Sequence, residues 1–226
     1  MQKIFKVFLL IFFFKVLIST NSFSKILQQV EENIDKNAKY IFYIHGAALE
    51  QGGRRSQDYR YNDILSELFS KGFVVIGETR NFVNPNEYAD KVASQVNKLL
   101  SAGVIPKNIT IASHSKGGLI AMISSSIIQN SDIVYVNFAG CGLAGSQFER
   151  GTVEFSNSKA SRSKGYLISV YDRSDAVSGS CKVALDKMVQ TKSKEIVLEV
   201  GGGHELFYKP HKDWIQILVN SANRSF

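Results

Sequence analysis

One serine of the sequence stands where a β-branched run meets a segment of small residues. Residues 109–112 lead into Ser113, His114 and Ser115, and the residues that follow favour the start of a helix. A strand, a sharp turn carrying a serine and then a helix are the pattern of a nucleophile elbow. The turn strains the backbone, so the positions two before and two after the serine must be small. Gly117 meets this demand, whereas Ser113 stands where glycine is usual.

A serine hydroxyl is a poor nucleophile unless a base and a group that orients the base lie close to it. The chain offers Asp172 and Asp175 after one predicted strand, and His204 after a run of three glycines. His211 is a second histidine, but its place beside a proline at the start of a predicted helix indicates a structural role. Ser115, an aspartate and His204 follow one another in the chain order of a known catalytic triad. The spacing leaves both aspartates open as the acid.

Buried apolar runs alternate with amphipathic segments along the chain, which is typical of a parallel sheet covered by helices on both faces. The apolar runs predict six strands, at 40–45, 73–78, 109–113, 133–138, 166–171 and 195–200. The amphipathic segments predict helices at 58–71, 86–102, 117–129, 181–190 and 213–220. We expect one mostly parallel α/β domain, with ligands bound beyond the carboxyl ends of its strands.

Two stretches carry weaker patterns. Residues 25–37 predict a short leading helix or an ordered linker, and residues 139–163 are small, polar and irregular. Because the second stretch offers little helix and little apolar surface, no large lid is expected. The pocket should then be shallow and open.

The amino terminus predicts a secretory signal peptide over residues 1–24, followed by the folded domain over 25–226. A basic start precedes the apolar run 7–14, and small polar residues come before Lys25. The run is shorter than the ~20 apolar residues of a membrane span. We therefore expect an exported protein, periplasmic or secreted. Retention of the segment as an inner-membrane anchor is the alternative.

The charge and the cysteine content of the chain indicate which classes of binding partner and which covalent link to expect. The formal net charge is +7, and it falls to +4 when the three lysines of residues 1–24 are removed. No run of basic residues with interleaved aromatics suggests nucleic-acid binding. Cys141 and Cys181 form an even pair in a chain expected to be exported, so a disulfide is predicted. Their spacing is unlike a zinc site, and we expect neither a metal nor a cofactor.

Several short motifs together resemble a known superfamily. They are His45-Gly46, Glu50-Gln51-Gly52, 72–76 with Glu78 and Arg80, Ser115-Lys116-Gly117, Ser174-Asp175, Gly179-Ser180-Cys181, and Gly203-His204 with Tyr208 and Pro210. From about residue 40 onward the chain resembles the α/β-hydrolases. More narrowly it is similar to a poorly characterised group of small bacterial α/β-hydrolase-like proteins.

The resemblance implies roles for particular residues. It implies Ser115 as nucleophile, His204 as general base and Asp175 as the acid, with Asp172 as the alternative acid. The backbone N–H groups of Ala47 and Lys116 would form the oxyanion hole. In this fold the strands before Cys141 and Cys181 are neighbours. A bridge between them would contribute roughly 4 kcal/mol and would pin the loop that carries the acid.

The expected function is that of a serine hydrolase acting on a small ester or other acyl substrate through an acyl-enzyme. Thioesterase or peptidase chemistry would use the same residues. A non-catalytic binding protein on the same fold is the other alternative, with Ser113 as a trace of lost activity. We expect a small-molecule acyl partner, no nucleic acid, and membrane contact only if residues 1–24 are retained. The Lys116 side chain either approaches the pocket or points to solvent, and the oligomeric state is not predicted.

Overall fold

A single parallel sheet organises the computed structural model, which describes residues 25–52 and 54–225. Its strands are β1 (Lys25–Leu27), β2 (Tyr40–Ile44), β3 (Val74–Ile76), β4 (Ile109–His114), β5 (Val134–Phe138), β6 (Gly165–Asp172) and β7 (Thr191–Leu198). The strand order is β1-β3-β2-β4-β5-β6-β7, and each neighbouring pair runs parallel. The carboxyl ends of all these strands therefore meet at one edge of the sheet.

Helices connect the strands. They are α1 (Ala47–Gln51), α2 (Arg54–Asp58), α3 (Tyr61–Ser70), α4 (Pro85–Ser101), α5 (Lys116–Ile128), α6 (Glu149–Ser158), α7 (Lys182–Leu185) and α8 (Lys212–Ala222). The start of α4 illustrates how sequence sets a boundary. The Asn84 side chain accepts a hydrogen bond from the Asn86 N–H at 2.9 Å, and Pro85 occupies the first turn, where its missing N–H costs nothing.

The inner strands β3, β2, β4, β5 and β6 are buried on both faces, which explains their mainly apolar sequences, whereas the edge strands β1 and β7 are largely exposed. In β2, Phe42 faces one layer, which contains Val96 of α4 and Ile120 of α5. Its neighbour Ile41 faces the other layer, where Trp214 of α8 is fully buried. The predicted α/β architecture, a mostly parallel sheet with helices covering both faces, is confirmed.

Two predictions about regular structure hold only in part, and the second alternative for residues 25–37, an ordered linker, describes the segment after residue 27. Residues 25–37 contain no helix: Lys25–Leu27 forms an edge strand, paired with β3, and adds a seventh strand to the six predicted. Three residues are too few for a strand period to show, so only the pairing partner reveals β1. Residues 139–163 are not irregular throughout, because Glu149–Ser158 forms α6. The buried face of α6 joins Phe155 to the small polar Thr152 and Ser156, so the sequence lacks the usual apolar stripe.

The described residues contain no helix long and apolar enough to cross a bilayer. The predicted signal peptide over residues 1–24 lies outside the described residues, so its cleavage stays a prediction.

A disulfide joins Cys141 and Cys181, with 5.2 Å between the two Cα atoms, and both residues are fully buried. It connects the loop after β5 to the segment just before α7. Backbone hydrogen bonds reinforce the link: the Leu143 N–H donates to the Val177 carbonyl at 3.1 Å, and the Gly179 N–H donates to the Cys141 carbonyl at 3.0 Å. The loop after β6 is thus held along its length.

Candidate active site

Ser115 occupies a sharp left-handed turn between β4 and α5. Its φ is 54° and its ψ is −124°, values that a residue other than glycine rarely adopts. Such a conformation costs on the order of 1–3 kcal/mol and persists only where surrounding structure holds it. Here the Ser115 N–H donates to the Phe138 carbonyl at 2.9 Å, and its own carbonyl accepts from the Gly118 N–H at 2.7 Å. The turn lifts the serine side chain above the carboxyl edge of the sheet.

The small residues around this turn have distinct reasons to be small. A Cβ at Gly117 would collide with the backbone carbonyl oxygens of Ile44 and His45. Ser113 is fully buried, and its Oγ lies 3.4 Å from both the Val136 carbonyl oxygen and the Asn137 Oδ1. The serine at position 113 therefore fits beside β5 without opening the turn.

The structure brings the side chains of Ser115, His204 and Asp175 into one hydrogen-bonded row. Ser115 Oγ lies 2.9 Å from His204 Nε2, and His204 Nδ1 lies 2.9 Å from Asp175 Oδ2. A carboxylate can only accept, so Nδ1 carries the proton and Nε2 is free to accept one from the serine. The other oxygen of Asp175 accepts from the N–H groups of Val177 at 2.7 Å and Ser178 at 2.9 Å, which fixes the carboxylate plane.

Asp172, the alternative acid, makes different contacts. Its carboxylate accepts from the Ser174 hydroxyl and from four backbone N–H groups, those of Ser174, Val200, Gly201 and Gly203. Burial alone would raise the pKa of Asp172, but these hydrogen bonds outweigh it and hold the pKa below its ordinary value. Asp172 thus joins the loop that carries Asp175 to the loop that carries His204.

His114 packs against His204 of the hydrogen-bonded row, whereas His211 lies apart from the row at the start of α8. His114 is fully buried, its Nδ1 lies 3.1 Å from the Tyr59 hydroxyl, and its ring centroid is 4.7 Å from that of His204. Burial, followed by the nearby His204, lowers the pKa of His114 well below its ordinary value. His211 lies at the N-cap of α8, where its ring accepts from the Asp213 N–H at 3.4 Å.

The two residues predicted to supply the oxyanion hole, Ala47 and Lys116, both lie at helix starts beside Ser115. Ala47 and Lys116 are the first residues of α1 and α5, and the first N–H groups of a helix have no acceptor within it. Both residues line one pocket with Ser115. The two segments touch closely, because a Cβ at Gly46 would lie 2.9 Å from the Cβ of Ser115.

The Lys116 side chain lies near the pocket and does not point to solvent, but its charge is already paired. Its Nζ lies 2.5 Å from Glu50 Oε2 and 2.7 Å from the Val83 carbonyl oxygen, and the side chain is only 12% exposed. The ammonium also lies 4.1 Å from the ring centroid of Phe82, close enough for a cation–π contact. Sequence reasoning assigned no role to Glu50 or to its other partner Arg80, because periodicity does not distinguish a buried carboxylate from a solvated one.

The pocket beside Ser115 has a volume of about 270 Å³ and continues into a neighbouring cavity of about 590 Å³. Residues shared by the two linings mark the passage between them: Phe82, Pro85, Leu119, Gln147 and Gly151. Phe82 is 77% exposed and Phe148 48% exposed at the pocket mouth. The result is an open cleft between the start of α4 and α6, with apolar and polar walls. The described residues contain no cluster of His, Cys, Asp and Glu that could hold a metal ion.

Solved structures with the same architecture are known. An esterase from Rhodococcus sp. ECU1013 superimposes with a TM-score of 0.55 at 12% identity, covering 85% of this chain and 93% of that chain. A sugar hydrolase from Lactococcus lactis gives 0.56 at 11% identity, covering 87% and 91%. The acetyl xylan esterase 1 of Thermoanaerobacterium sp. JW/SL YS485 gives 0.53 at 13% identity, covering 86% and 77%.

This is an α/β-hydrolase fold. At these identities the likeness concerns the fold alone. A scan against protein-family models and a search of curated proteins returned no match to this chain. The α/β-hydrolase fold places the elbow serine after β4 and the two loops that carry Asp175 and His204 after β6 and β7, at the same edge of the sheet.

Proposed function

We propose that this protein is a serine hydrolase that cleaves a small ester through an acyl-enzyme, with Ser115 as nucleophile, His204 as general base and Asp175 as the orienting acid. The observation that carries the proposal is the hydrogen-bonded row of these side chains, 2.9 Å at each step, beside the first N–H groups of α1 and α5. Catalytic triads are recognised by the geometry of their members and not by their positions in the sequence, and this geometry supports the proposal.

The reaction follows from the positions of these groups. The Ser115 Oγ attacks the carbonyl carbon of the ester while His204 Nε2 takes its proton. The carbonyl oxygen becomes an oxyanion, stabilised by the backbone N–H groups of Ala47 and Lys116. His204 then gives its proton to the departing alcohol, which leaves an acyl group on Ser115.

Hydrolysis of the acyl-enzyme repeats these roles with water. His204 Nε2 takes a proton from a water molecule as the water oxygen attacks the acyl carbon. Collapse of the second tetrahedral intermediate releases the carboxylic acid, and the proton on His204 returns to the Ser115 Oγ. Asp175 accepts from Nδ1 throughout and stabilises the imidazolium that forms in each half.

Three observations guide the choice among related functions. The alignment of the Ser115 hydroxyl with an imidazole and a carboxylate favours an enzyme over a non-catalytic binding protein, because ligand binding alone does not require a serine paired with a base. The open cleft favours a small or exposed ester. Thioesters and peptides would meet the same residues and remain candidates. The disulfide supports placement in an oxidising compartment, in line with the predicted export.

Hydrolysis of p-nitrophenyl acetate, butyrate and octanoate by wild type and by Ser115→Ala tests the proposal. We expect activity in wild type and its loss in Ser115→Ala, with labelling by a fluorophosphonate probe lost in parallel. Ser101→Ala, at an exposed position at the end of α4, is the control and should keep both. Folded wild-type protein that neither labels nor hydrolyses any ester or thioester would favour the binding protein.

A further inference from the structure

Glu50, Arg80 and Lys116 form a buried charged cluster next to the elbow, called the Glu50 cluster below. Glu50 Oε1 lies 2.8 Å from Arg80 Nε, and Glu50 Oε2 lies 2.5 Å from Lys116 Nζ. The side chain of Glu50 is fully buried and that of Arg80 is 3% exposed. Two cations therefore share one anion in a place that water barely reaches.

Stability alone does not account for such an arrangement. Removing charged groups from water costs several kcal/mol for each ion, and a buried ion pair is often no better than apolar residues of the same volume. Phe82 and Tyr88, whose rings lie 4.1 Å from Lys116 Nζ and 4.9 Å from Arg80 Cζ, give each cation a further contact. Charged groups at a fixed spacing do, however, constrain the segments that carry them.

Those segments supply the two proposed oxyanion donors. Glu50 belongs to α1, whose first residue is Ala47, and Lys116 is itself the first residue of α5. Helix α1 has only five residues, and its apolar side chains Ala48 and Leu49 are only partly buried against the core, so the buried Glu50 side chain is a main anchor of this helix. The ion pair between Glu50 and Lys116 is thus a direct side-chain link between the two helix starts.

Arg80 connects Glu50 of α1 to His45, the residue that follows β2. Its backbone N–H donates to His45 Nε2 at 3.0 Å, and its Nη2 donates to the His45 carbonyl at 2.5 Å. His45 Nδ1 in turn donates to the Gly46 carbonyl at 2.8 Å, immediately before Ala47. The guanidinium therefore connects Glu50 to the end of β2, and the position of the Ala47 N–H follows from both contacts.

We infer that Glu50 and Arg80 are positioning residues for the oxyanion hole: through the Glu50 cluster they hold the N–H groups of Ala47 and Lys116 at the spacing that the oxyanion requires. This inference rests on the proposed hydrolase function. Neither side chain touches the reacting atoms, so their loss should weaken stabilisation of the transition state and leave binding of the ester nearly intact.

Steady-state kinetics of Glu50→Gln with p-nitrophenyl acetate test the inference. Because loss of a whole oxyanion donor costs about 10²–10³ in kcat, we expect a displaced donor to lower kcat by about tenfold or more, with KM within about twofold. Titration of active sites with a fluorophosphonate gives kcat per competent molecule. A merely destabilised variant would have fewer competent molecules, each with the wild-type kcat.

A boronic acid supplies a second readout, since its tetrahedral adduct on Ser115 places a charged oxygen where the oxyanion forms. Its inhibition constant should rise by a factor similar to the fall in kcat. Glu67→Gln is the control: Glu67 pairs with Lys71 at 3.2 Å on the solvent-facing side of α3, away from the Glu50 cluster, and its substitution should leave kcat and the inhibition constant unchanged.

A double variant, Glu50→Gln with Arg80→Met, keeps the test decisive if Glu50→Gln fails to fold, because it leaves no unpaired guanidinium. The same loss of kcat per titrated site is expected from it. Wild-type kcat and inhibition constant in the folded variants would overturn the inference while the hydrolase function stands. Absence of hydrolysis in wild type itself would overturn both.

Discussion

Asp172 and Asp175 lie three positions apart in the chain, yet their carboxylates have different contacts. Both residues are buried, at 1% and 6% exposure. Asp175 faces the imidazole of His204 and is proposed to orient it. Asp172 accepts from the backbone of the loop that leads to His204, so it sets where that loop lies. A catalytic role and a structural role are therefore separable by substitution.

Asp175→Asn should lower kcat by about 10³–10⁴, because an amide does not stabilise the imidazolium and favours the wrong tautomer. Asp172→Asn should instead lower the midpoint of thermal unfolding, since the amide nitrogen cannot accept hydrogen bonds from N–H donors that are left buried. To check this assignment, kcat on p-nitrophenyl acetate and the midpoint of thermal unfolding are measured for both variants. The loss of kcat should be larger in Asp175→Asn, and the loss of stability larger in Asp172→Asn. A larger loss of kcat in Asp172→Asn would reverse the assignment.

The same pair has a pH signature. The folded-state pKa of Asp172 lies below its ordinary value of 3.8, so its ionised form contributes stability above that pH, and the contribution is lost as the pH falls through the folded-state pKa. The difference in stability between wild type and Asp172→Asn should therefore be full at neutral pH and shrink below about pH 3.8. A difference that stayed constant down to the acid limit would contradict the role given to this carboxylate.

At the scale of elements, helix α6 forms one wall of the cleft beside Ser115. Gly151 lies in the first turn of α6, where glycine is less favourable than alanine by about 1 kcal/mol. A Cβ there would lie 2.7 Å from the Leu119 Cδ2, and Gly151 lines both the pocket at Ser115 and the cavity beyond it. The missing side chain keeps the passage between the two open.

Gly151→Phe should close this passage. We expect kcat/KM for p-nitrophenyl octanoate to fall by about tenfold or more relative to the acetate, because each methylene excluded from an apolar site forfeits roughly 0.8 kcal/mol. Asn157→Phe, at an exposed position of α6, adds the same ring away from the cleft and should leave the ratio of the two esters unchanged. Equal losses for both esters in Gly151→Phe would show that substrates do not extend past this point.

At the scale of the whole molecule, two buried histidines link stability to pH. Burial, followed by the charges of Arg80 and Lys116, lowers the pKa of His45 to about 3. Burial also lowers the pKa of His114. Both rings are neutral in the folded protein and become protonated on unfolding below their ordinary pKa of about 6.5. The unfolded state then binds more protons, so stability falls as the pH falls.

Between pH 7.5 and pH 5 the free energy of unfolding should fall by about 2 kcal/mol on account of His45, whose pKa in the folded protein is about 3. The lowered pKa of His114 should add to this fall. Urea unfolding at the two pH values measures the change, and His45→Gln should lose one histidine's share of it. Leu68→Ala, which opens a cavity in the core and carries no titratable group, should lower stability equally at both pH values. An unchanged pH dependence in His45→Gln would contradict neutral burial of His45.

Much of the architecture could be predicted from local patterns. The runs that became β2, β4, β5 and β6 are mainly apolar because both faces of these inner strands are covered, and their pattern needs no tertiary information. The order of Ser115, an aspartate and His204 likewise lies in the chain. The pairing of Cys141 with Cys181 was predictable because the chain offers no other partner for either thiol.

Other features depended on contacts between distant residues. Strand β1 exists through its pairing with β3, and α6 buries a face too polar to show a period. The choice between Asp175 and Asp172 depended on which carboxylate reaches the His204 ring. The two residues lie three positions apart on one loop, and the course of that loop points their side chains to different partners. The serine at position 113 proved compatible with the turn at Ser115 because β5 leaves room for its hydroxyl.

The sequence by itself determined the fold class, the strand ends that carry reactive residues, and their order, because burial periodicity and turn chemistry are local properties. Only the tertiary structure showed which aspartate contacts His204, where the cleft beside α6 lies, and that Glu50 is buried with Arg80 and Lys116. Each of these depends on distances between segments that are far apart in the chain. The sequence alone does not show whether a charged side chain is exposed to solvent or buried in an ion pair. That difference depends on which segments pack around it in the folded chain.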